Sequence, residues 1–260
     1  MPILTVHTLA VIFGILGNAV SVGVFLAPVP TFYRIYKKKS SEGYQSIPYV
    51  VSLFSALLLL YYGSLKTDGI LLITINSFGI AIELLYLMIY VVYAPKKAKN
   101  LTLQLLLVGD LGGCSLVMVL TTFLARGSKR VAVVGWINAI INFSVFAAPL
   151  GVMRQVIRTK SVEFMPVSLS LALCLNATMW FFYGFFIKDY FIAVPNVLGF
   201  ILGMVQVVLY LIYRWSSSKV EKDLSQHEPN NDPKLDSENI GSNKNQQTEL
   251  KVIVGDAVVN

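Results

Sequence analysis

The chain has 260 residues, of which 55% are hydrophobic and 13% charged, and its mean hydropathy is +0.67. Soluble domains carry about 25% charged residues, so this chain has too few charges to cover a surface that faces water, and lipid is its expected solvent. The net charge of +7 does not indicate nucleic-acid binding, because the basic residues form short clusters between apolar stretches, as loops beside a membrane do.

Seven stretches are long and apolar enough to be membrane spans, since a span needs about 20 mostly apolar residues. An all-α membrane protein with seven transmembrane helices is therefore the expected fold class. In chain order, the spans are predicted at 6–27, 47–63, 70–93, 101–124, 131–152, 166–187 and 190–213. The rest of the chain is polar and, from Ser216 onward, lacks aromatic residues, so 214–260 is predicted to be a disordered cytoplasmic tail.

The distribution of Lys and Arg predicts the orientation of these spans. With the N-terminus outside, 13 basic residues face the cytoplasm and five face the exterior. Because basic residues are enriched in cytoplasmic loops, we expect an extracellular N-terminus and a cytoplasmic C-terminus.

The first three spans and the last three share one sequence pattern. The correspondences, at separations of 120 or 121 residues, are 24–28 with 145–149, 39–42 with 160–163, and 76–79 with 196–199. Residues 6–93 and 131–213 are therefore predicted to be two copies of a three-helix bundle, with 101–124 as a linker helix. Three spans leave the chain on the opposite side, so the linker lets the second copy repeat in the same orientation. In transporters built from such parallel repeats, the solute site lies between the repeats near the membrane midplane.

Polar side chains within the spans are the candidates for that site, because an unpaired polar group in lipid costs free energy. Asn76 and Asn196 occupy equivalent positions in the two copies, and their amides offer the donors and acceptors that sugar hydroxyls need. Trp180 offers an indole face to the apolar face of a sugar ring. Further candidates correspond across the repeat, Ser21 with Asn142, Ser55 with Asn176 and Leu59 with Trp180, and Val145 shares a helix face with Asn142. The alternative is that these residues only join helices to one another.

Two acidic residues, Glu83 and Asp110, lie within the predicted spans. Proton coupling through Glu83 is conceivable, but its counterpart in the second copy is Gly203, so it lies away from a symmetric site. Without a symmetric acid, the simpler prediction is a uniporter that moves a neutral solute down its gradient.

Four prolines lie at the predicted cytoplasmic ends of the first and second spans of each copy: Pro28, Pro48, Pro149 and Pro166. Proline removes a backbone hydrogen bond and kinks a helix. We interpret the four as hinges for alternating access, and the alternative is that they only end helices.

Several longer stretches resemble plant SWEET sugar transporters, which are themselves an example of the parallel-repeat arrangement. They include FLAPVPTFYRIYKKK at 25–39, ITINSFG at 73–79, TKSVEFMP at 159–166 and WFFYG at 180–184. The resemblance covers 6–213 and implies bidirectional, facilitated transport of a sugar. By position it implies that Asn76, Asn196 and Trp180 contact the sugar, and that Ser21, Val24, Ser55, Asn142, Val145 and Asn176 line the pocket. It also implies that the four prolines are the hinges and that Tyr62 with Asp189 forms the extracellular gate.

Within that family, the chain is most similar to the sucrose-exporting, nectary-type branch of the plasma membrane, which Val145 fits. Leu59 departs from the pattern, since the family usually has an aromatic residue there, and Asn142 and Asn176 replace smaller serines of some sucrose carriers. These differences leave a hexose uniporter open as the alternative.

Other classes of protein remain as alternatives. A proton-coupled amino-acid carrier of the Pro-Gln-loop type would also have this hydropathy, and a seven-helix receptor would leave the repeat unexplained. An enzyme is not expected, because the spans contain no metal cluster, nucleophile–base pair or phosphate loop, and no cofactor is expected. The expected partners are a small neutral sugar and membrane lipid, and the resemblance implies homo-oligomers.

Overall fold

A chain in lipid must satisfy its backbone N–H and C=O groups internally, which favours helices. The computed structural model describes residues 5–145, 147–160, 162 and 167–226, and within these it describes no side chains for 144, 145, 147–149 and 216–226. Every regular element in these ranges is helical. The helices are α1 Val6–Leu26, α2 Val29–Lys38, α3 Ile47–Ser64, α4 Ile70–Tyr93, α5 Lys96–Gln104, α6 Cys114–Leu124, α7 Ser128–Val145, α8 Ala147–Thr159, α9 Val167–Phe186 and α10 Tyr190–Gln226.

Six helical stretches of the described chain are long and apolar enough to cross a membrane. They are Val6–Lys38, Ile47–Ser64, Ile70–Tyr93, Lys96–Leu124, Val167–Phe186 and Tyr190–Trp215. The helix α7 takes in the second half the place that α1 has in the first, and it completes the seven helices. The predicted fold class is confirmed.

The two halves end corresponding helices in the same way. The helix α2 is followed by Lys39 with φ 54°, and α8 is followed by Lys160 with φ 51°, both in the left-handed conformation that commonly ends a helix. The two lysines are 121 residues apart, which is the separation of the sequence repeat.

The packing of the helices places a shared space between the halves. The third helix of each half, α4 or α10, packs against the other two helices of its own half. Across the halves, α1 packs against α9 and α3 packs against α7. The first helix of each half therefore contacts the second helix of the other half, as a two-fold relation between parallel repeats requires.

The linker helix packs mainly against the first half. Between α5 and α6 the backbone is π-helical over Leu105–Gly113. Leu105 and Leu106 join the buried cluster of Val50, Leu53 and Leu87 on α3 and α4. The linker is therefore held by apolar contacts with the first bundle.

Two helical stretches are longer in the structure than the sequence predicts. The fourth helical stretch begins at Lys96 instead of 101, and α10 continues to Gln226 instead of ending at 213. The structure therefore has a helix at 214–226, where the sequence predicts a disordered tail. That segment contains neither Gly nor Pro, so nothing in it ends a helix, whereas hydropathy marks only the end of the apolar stretch. Residues 227–260 lie outside the described residues, and their predicted disorder stays a prediction.

Candidate functional site

A cavity of about 340 Å³ lies between the two halves. Pockets for small molecules are usually about 300–1,000 Å³, so this cavity can hold one small solute. The helices α1, α4, α9 and α10 form most of its wall, and α3 and α7 contribute one residue each. Eight predicted residues line it: Ser21, Val24, Leu59, Asn76, Asn142, Asn176, Trp180 and Asn196. The described lining contains no ionisable side chain, so the cavity suits a neutral solute.

The two repeat-related asparagines are held in the same way. Asn76 donates its Nδ2 to the carbonyl of Leu72 at 2.8 Å, and Asn196 donates its Nδ2 to the carbonyl of Ile192 at 2.8 Å. Each bond ties the amide to its own helix one turn back. Among the described residues neither Oδ1 has a partner, so each amide keeps an acceptor and a second N–H for a ligand.

A chain of hydrogen bonds joins α1 to α9 beside the cavity. Trp180 donates its Nε1 to Ser21 Oγ at 2.9 Å, and Ser21 donates to Asn176 Oδ1 at 2.6 Å. A Cβ at Gly17 would lie 3.1 Å from the indole Cε2, so a glycine at this position lets Trp180 lie close to α1. The indole N–H is bound to protein in this conformation, and Trp180 offers its ring face.

The equivalent serine contact between α3 and α7 is weaker. Ser55 donates to Asn142 Oδ1 at 3.4 Å, and Leu59 stands where the other interface has Trp180. A leucine cannot donate a hydrogen bond, so the α3–α7 interface has no counterpart of the hydrogen bond from Trp180 to Ser21. Ser55 does not line the cavity but contacts Asn142, which does. The side chain of Val145 lies outside the described residues.

The predicted gate residues join α3 to the start of α10, next to the cavity residues Phe191 and Ile192. Tyr62 donates its hydroxyl to Asp189 Oδ2 at 2.8 Å, and Lys66 forms an ion pair with the same oxygen. Asp189 Oδ1 accepts the backbone N–H groups of Phe191 at 3.1 Å and Ile192 at 3.3 Å, which stabilises the start of α10. Tyr62 and Asp189 are buried. Lys66 was not among the predicted gate residues, and the only sequence signal for it is a basic residue in the loop that follows Tyr62.

The four predicted hinge prolines are only partly described. Pro28 lies at the break between α1 and α2, and Pro48 is the second residue of α3. Pro149 is the third residue of α8, with its side chain outside the described residues. Pro166 lies outside them entirely. The positions of Pro28 and Pro48 at helix ends fit either a hinge or simple helix termination, and the hinge role stays a prediction.

The cavity also contains residues that sequence reasoning did not single out as site residues. Phe25 lines its α1 wall, and Pro195 interrupts the hydrogen bonding of α10 one residue before Asn196. Gln206 lines the far end of the α10 wall. A proline or a glutamine inside an apolar stretch is the signal that could have identified the latter two.

The two acidic residues of the spans lie outside the cavity lining. Glu83 is buried and accepts a hydrogen bond from Ser52 Oγ at 2.7 Å, a contact between α4 and α3. Asp110 is buried in the π-helical stretch of the linker. Neither carboxylate is placed to contact a solute in the cavity.

Comparison with known proteins gives consistent matches. A family model described as "Sugar efflux transporter for intercellular exchange" matches residues 11–98 and again 132–218. The chain is 59% identical over 225 residues to bidirectional sugar transporter NEC1 of Petunia hybrida, covering 86% of this chain and 84% of that protein. It is 57% identical over 214 residues to bidirectional sugar transporter SWEET9 of Arabidopsis thaliana, covering 82% and 83% of the two chains. A solved structure of a eukaryotic SWEET transporter matches with a TM-score of 0.75 and 38% identity, over 79% of this chain and 96% of that chain.

Proposed function

Because this chain belongs to the SWEET family of bidirectional sugar transporters, we propose that it carries sucrose across the plasma membrane by alternating access, without a coupled ion. The observation that carries the proposal is the pair of equivalent amides, Asn76 on α4 and Asn196 on α10, which line one cavity without an ionisable side chain in its described lining. Such groups bind neutral hydroxyls.

The size of the cavity accommodates a disaccharide. Its lining on α10 runs from Phe191 and Ile192 to Gln206, and Ile192 and Gln206 are about 21 Å apart at 1.5 Å per helical residue. Leu59 is smaller than the aromatic residue usual in the family, which leaves room opposite Trp180. A hexose is the alternative substrate.

The contacts of Asp189 support alternating access between two membrane faces. In this proposal, the contacts that join Tyr62, Lys66 and Asp189 prevent a solute in the cavity from leaving past α3 and α10 on that side. With the N-terminus outside, these contacts are extracellular and the tail is cytoplasmic. Release to the exterior then requires these contacts to break.

The test is sugar movement in oocytes, with Asn76→Ala and Asn196→Ala as the site variants. Each variant removes about two neutral hydrogen bonds to the sugar, worth about 0.5–1.5 kcal/mol each. We therefore expect sucrose efflux at low concentration to fall about tenfold in either variant. Asn18→Ala is the matched control, because Asn18 joins α1 to α4 through Thr74 Oγ1 at 2.9 Å and does not line the cavity.

The outcomes of this experiment distinguish sucrose from a hexose as the substrate. Sucrose movement in both directions, reduced in both site variants and retained in the control, supports the proposal. Glucose movement without sucrose movement would assign the hexose alternative. If neither sugar moved while the protein was present at the cell surface, the assignment of this site to sugars would be rejected.

A further inference from the structure

Gln206 is a polar residue of the cavity that lies away from the asparagine pair. It follows Asn196 by ten residues on α10, about 15 Å along the helix axis, towards the end of α10 that leads into the tail. Its side chain is 7% exposed and lines the cavity. A single sugar ring cannot contact both Asn196 and Gln206 over this distance, so Gln206 is not part of the same contact.

The orientation of the Gln206 amide is fixed by α9. Ser170 donates its hydroxyl to Gln206 Oε1 at 3.2 Å, and both side chains are buried. The helices approach closely here, because a Cβ at Gly203 would lie 2.5 Å from Cys174 Sγ. With Oε1 bound to Ser170, the Nε2 group donates to no described residue, and its N–H donors are available to a ligand in the cavity.

The equivalent place in the first half is filled with aromatic rings. Gln206 corresponds to Tyr86 at a separation of 120 residues, and Ser170 corresponds to Tyr49 at 121. Tyr86 stacks on Phe32 with ring centroids 4.3 Å apart and donates its hydroxyl to the carbonyl of Phe25 at 2.9 Å. Tyr49 packs edge-on against both rings. The first half therefore has tyrosine rings where the second half has the Ser170–Gln206 pair, and the amide of Gln206 has no symmetric counterpart.

We propose that Gln206, positioned by Ser170, is a second sugar-binding group that contacts a sugar hydroxyl as the sugar enters from, or leaves to, the side of the membrane that holds the C-terminal tail. The inference rests on the proposed sugar transport. The two ends of the pathway then differ in chemistry. The amide of Gln206, which only the second half has, lies at the tail end, and the contacts of Asp189 lie at the other end.

The test measures half-saturation concentrations for sugar supplied from each side of the oocyte membrane. Gln206→Met keeps the length of the side chain and removes both polar atoms. We expect it to raise the half-saturation concentration about three- to tenfold for sugar supplied from the tail side, and less than twofold from the other side. Ser170→Ala keeps the Gln206 amide but removes the hydrogen bond that orients it. We therefore expect a smaller rise of the half-saturation concentration on the tail side. Gln104→Met, at an exposed position of α5, is the control and is expected to change neither value.

Equal shifts from both sides, or no shift, would overturn the inference, since a general packing role predicts the former and an idle side chain the latter. If Gln206→Met does not reach the cell surface, Ser170→Ala decides, and unchanged half-saturation in that variant overturns the inference. A wild-type protein that moves no sugar would instead reject the proposed function.

Discussion

At the residue scale, two glycines allow a tight turn of the chain between α3 and α4. Gly63 lies in the last turn of α3, and Gly69 directly precedes α4. A Cβ at Gly69 would overlap the carbonyl group of Gly63. The obstacle is backbone, which cannot move aside as a flexible side chain can, so only glycine fits at 69 with this turn.

Gly69→Ala is therefore expected to lower the free energy of unfolding by about 2 kcal/mol or more, within the range for steric strain of about 1–3 kcal/mol. Thermal unfolding of the detergent-purified protein measures this. Gly23→Ala serves as the control, because nothing lies within 4 Å of a Cβ at that position. Equal melting temperatures for the two variants would show that the α3–α4 turn can relax without cost.

At the scale of helices, the serine contacts beside the cavity differ between the two interfaces of the halves. In the α1–α9 interface, Ser21 takes part in two hydrogen bonds in series, at 2.9 and 2.6 Å. In the α3–α7 interface, Ser55 takes part in one at 3.4 Å, and the other bonds between these helices lie nearer the predicted extracellular end, at Leu58 and Tyr61. The serine contact is therefore the stronger one in the α1–α9 interface.

A pair of serine substitutions tests this difference. Ser21→Ala removes two interhelical hydrogen bonds of about 0.6 kcal/mol each, so we expect it to destabilise the protein by about 1 kcal/mol. Ser55→Ala removes one long bond and is expected to cost less than half as much. Thermal unfolding of both variants compares them directly, and a larger loss in Ser55→Ala would contradict the assignment of the stronger serine contact to α1–α9.

The linker helix is fixed at its predicted extracellular end by one arginine. Arg130 at the start of α7 donates to the Tyr61 hydroxyl of α3 through Nε at 2.9 Å and Nη2 at 2.6 Å. The same Nη2 donates to Thr122 Oγ1 of α6 at 2.7 Å, and Tyr61 is also hydrogen-bonded to Thr121 at 2.8 Å. Three helices thus meet at one guanidinium, which gives a local structural use to part of the basic loop at 126–130.

At the scale of the whole molecule, the separation of acidic residues from the cavity bears on energy coupling. Glu83 contacts Ser52 within the first half and does not line the cavity. A proton on Glu83 therefore has no direct contact with a solute in transit. Coupling of sugar movement to a proton gradient would need a route that the described lining does not provide.

Sugar uptake is accordingly expected to be the same with and without an inward proton gradient. Glu83→Gln keeps the hydrogen-bond acceptor for Ser52 and removes the charge, and we expect it to retain uptake within about twofold. Radiolabelled uptake at two external pH values in both proteins measures this. Uptake that follows the gradient in the wild type and is lost in Glu83→Gln would establish the proton-coupled alternative.

Much of the fold could be predicted because hydropathy and the repeat depend on local sequence. The spans predicted at 47–63 and 70–93 agree with α3 and α4 to within one residue, and the predicted family is confirmed by the matches. The π-helical stretch and the extension of α10 to Gln226 could not be predicted, because neither changes the hydropathy pattern.

The candidate site was predictable to the extent that it follows the repeat. Separations of 120 and 121 residues identified polar positions that the structure brings to one cavity, although their contact with sugar stays a prediction. The hydrogen bonds of Trp180 and Lys66 depend on how α1, α3, α9 and α10 meet in space. Gln206 was missed because its counterpart, Tyr86, is not a polar cavity residue, so symmetry gave no signal.

The fusion of both bundles into one chain has a consequence for how such a protein can evolve. In a carrier assembled from two identical half-length chains, every substitution appears on both walls of the pathway. Here Leu59 stands at the position equivalent to Trp180, and Tyr86 stands at the position equivalent to Gln206, so the two copies differ at both positions. A single codon change can therefore alter one wall of the pathway while its counterpart keeps the ancestral chemistry.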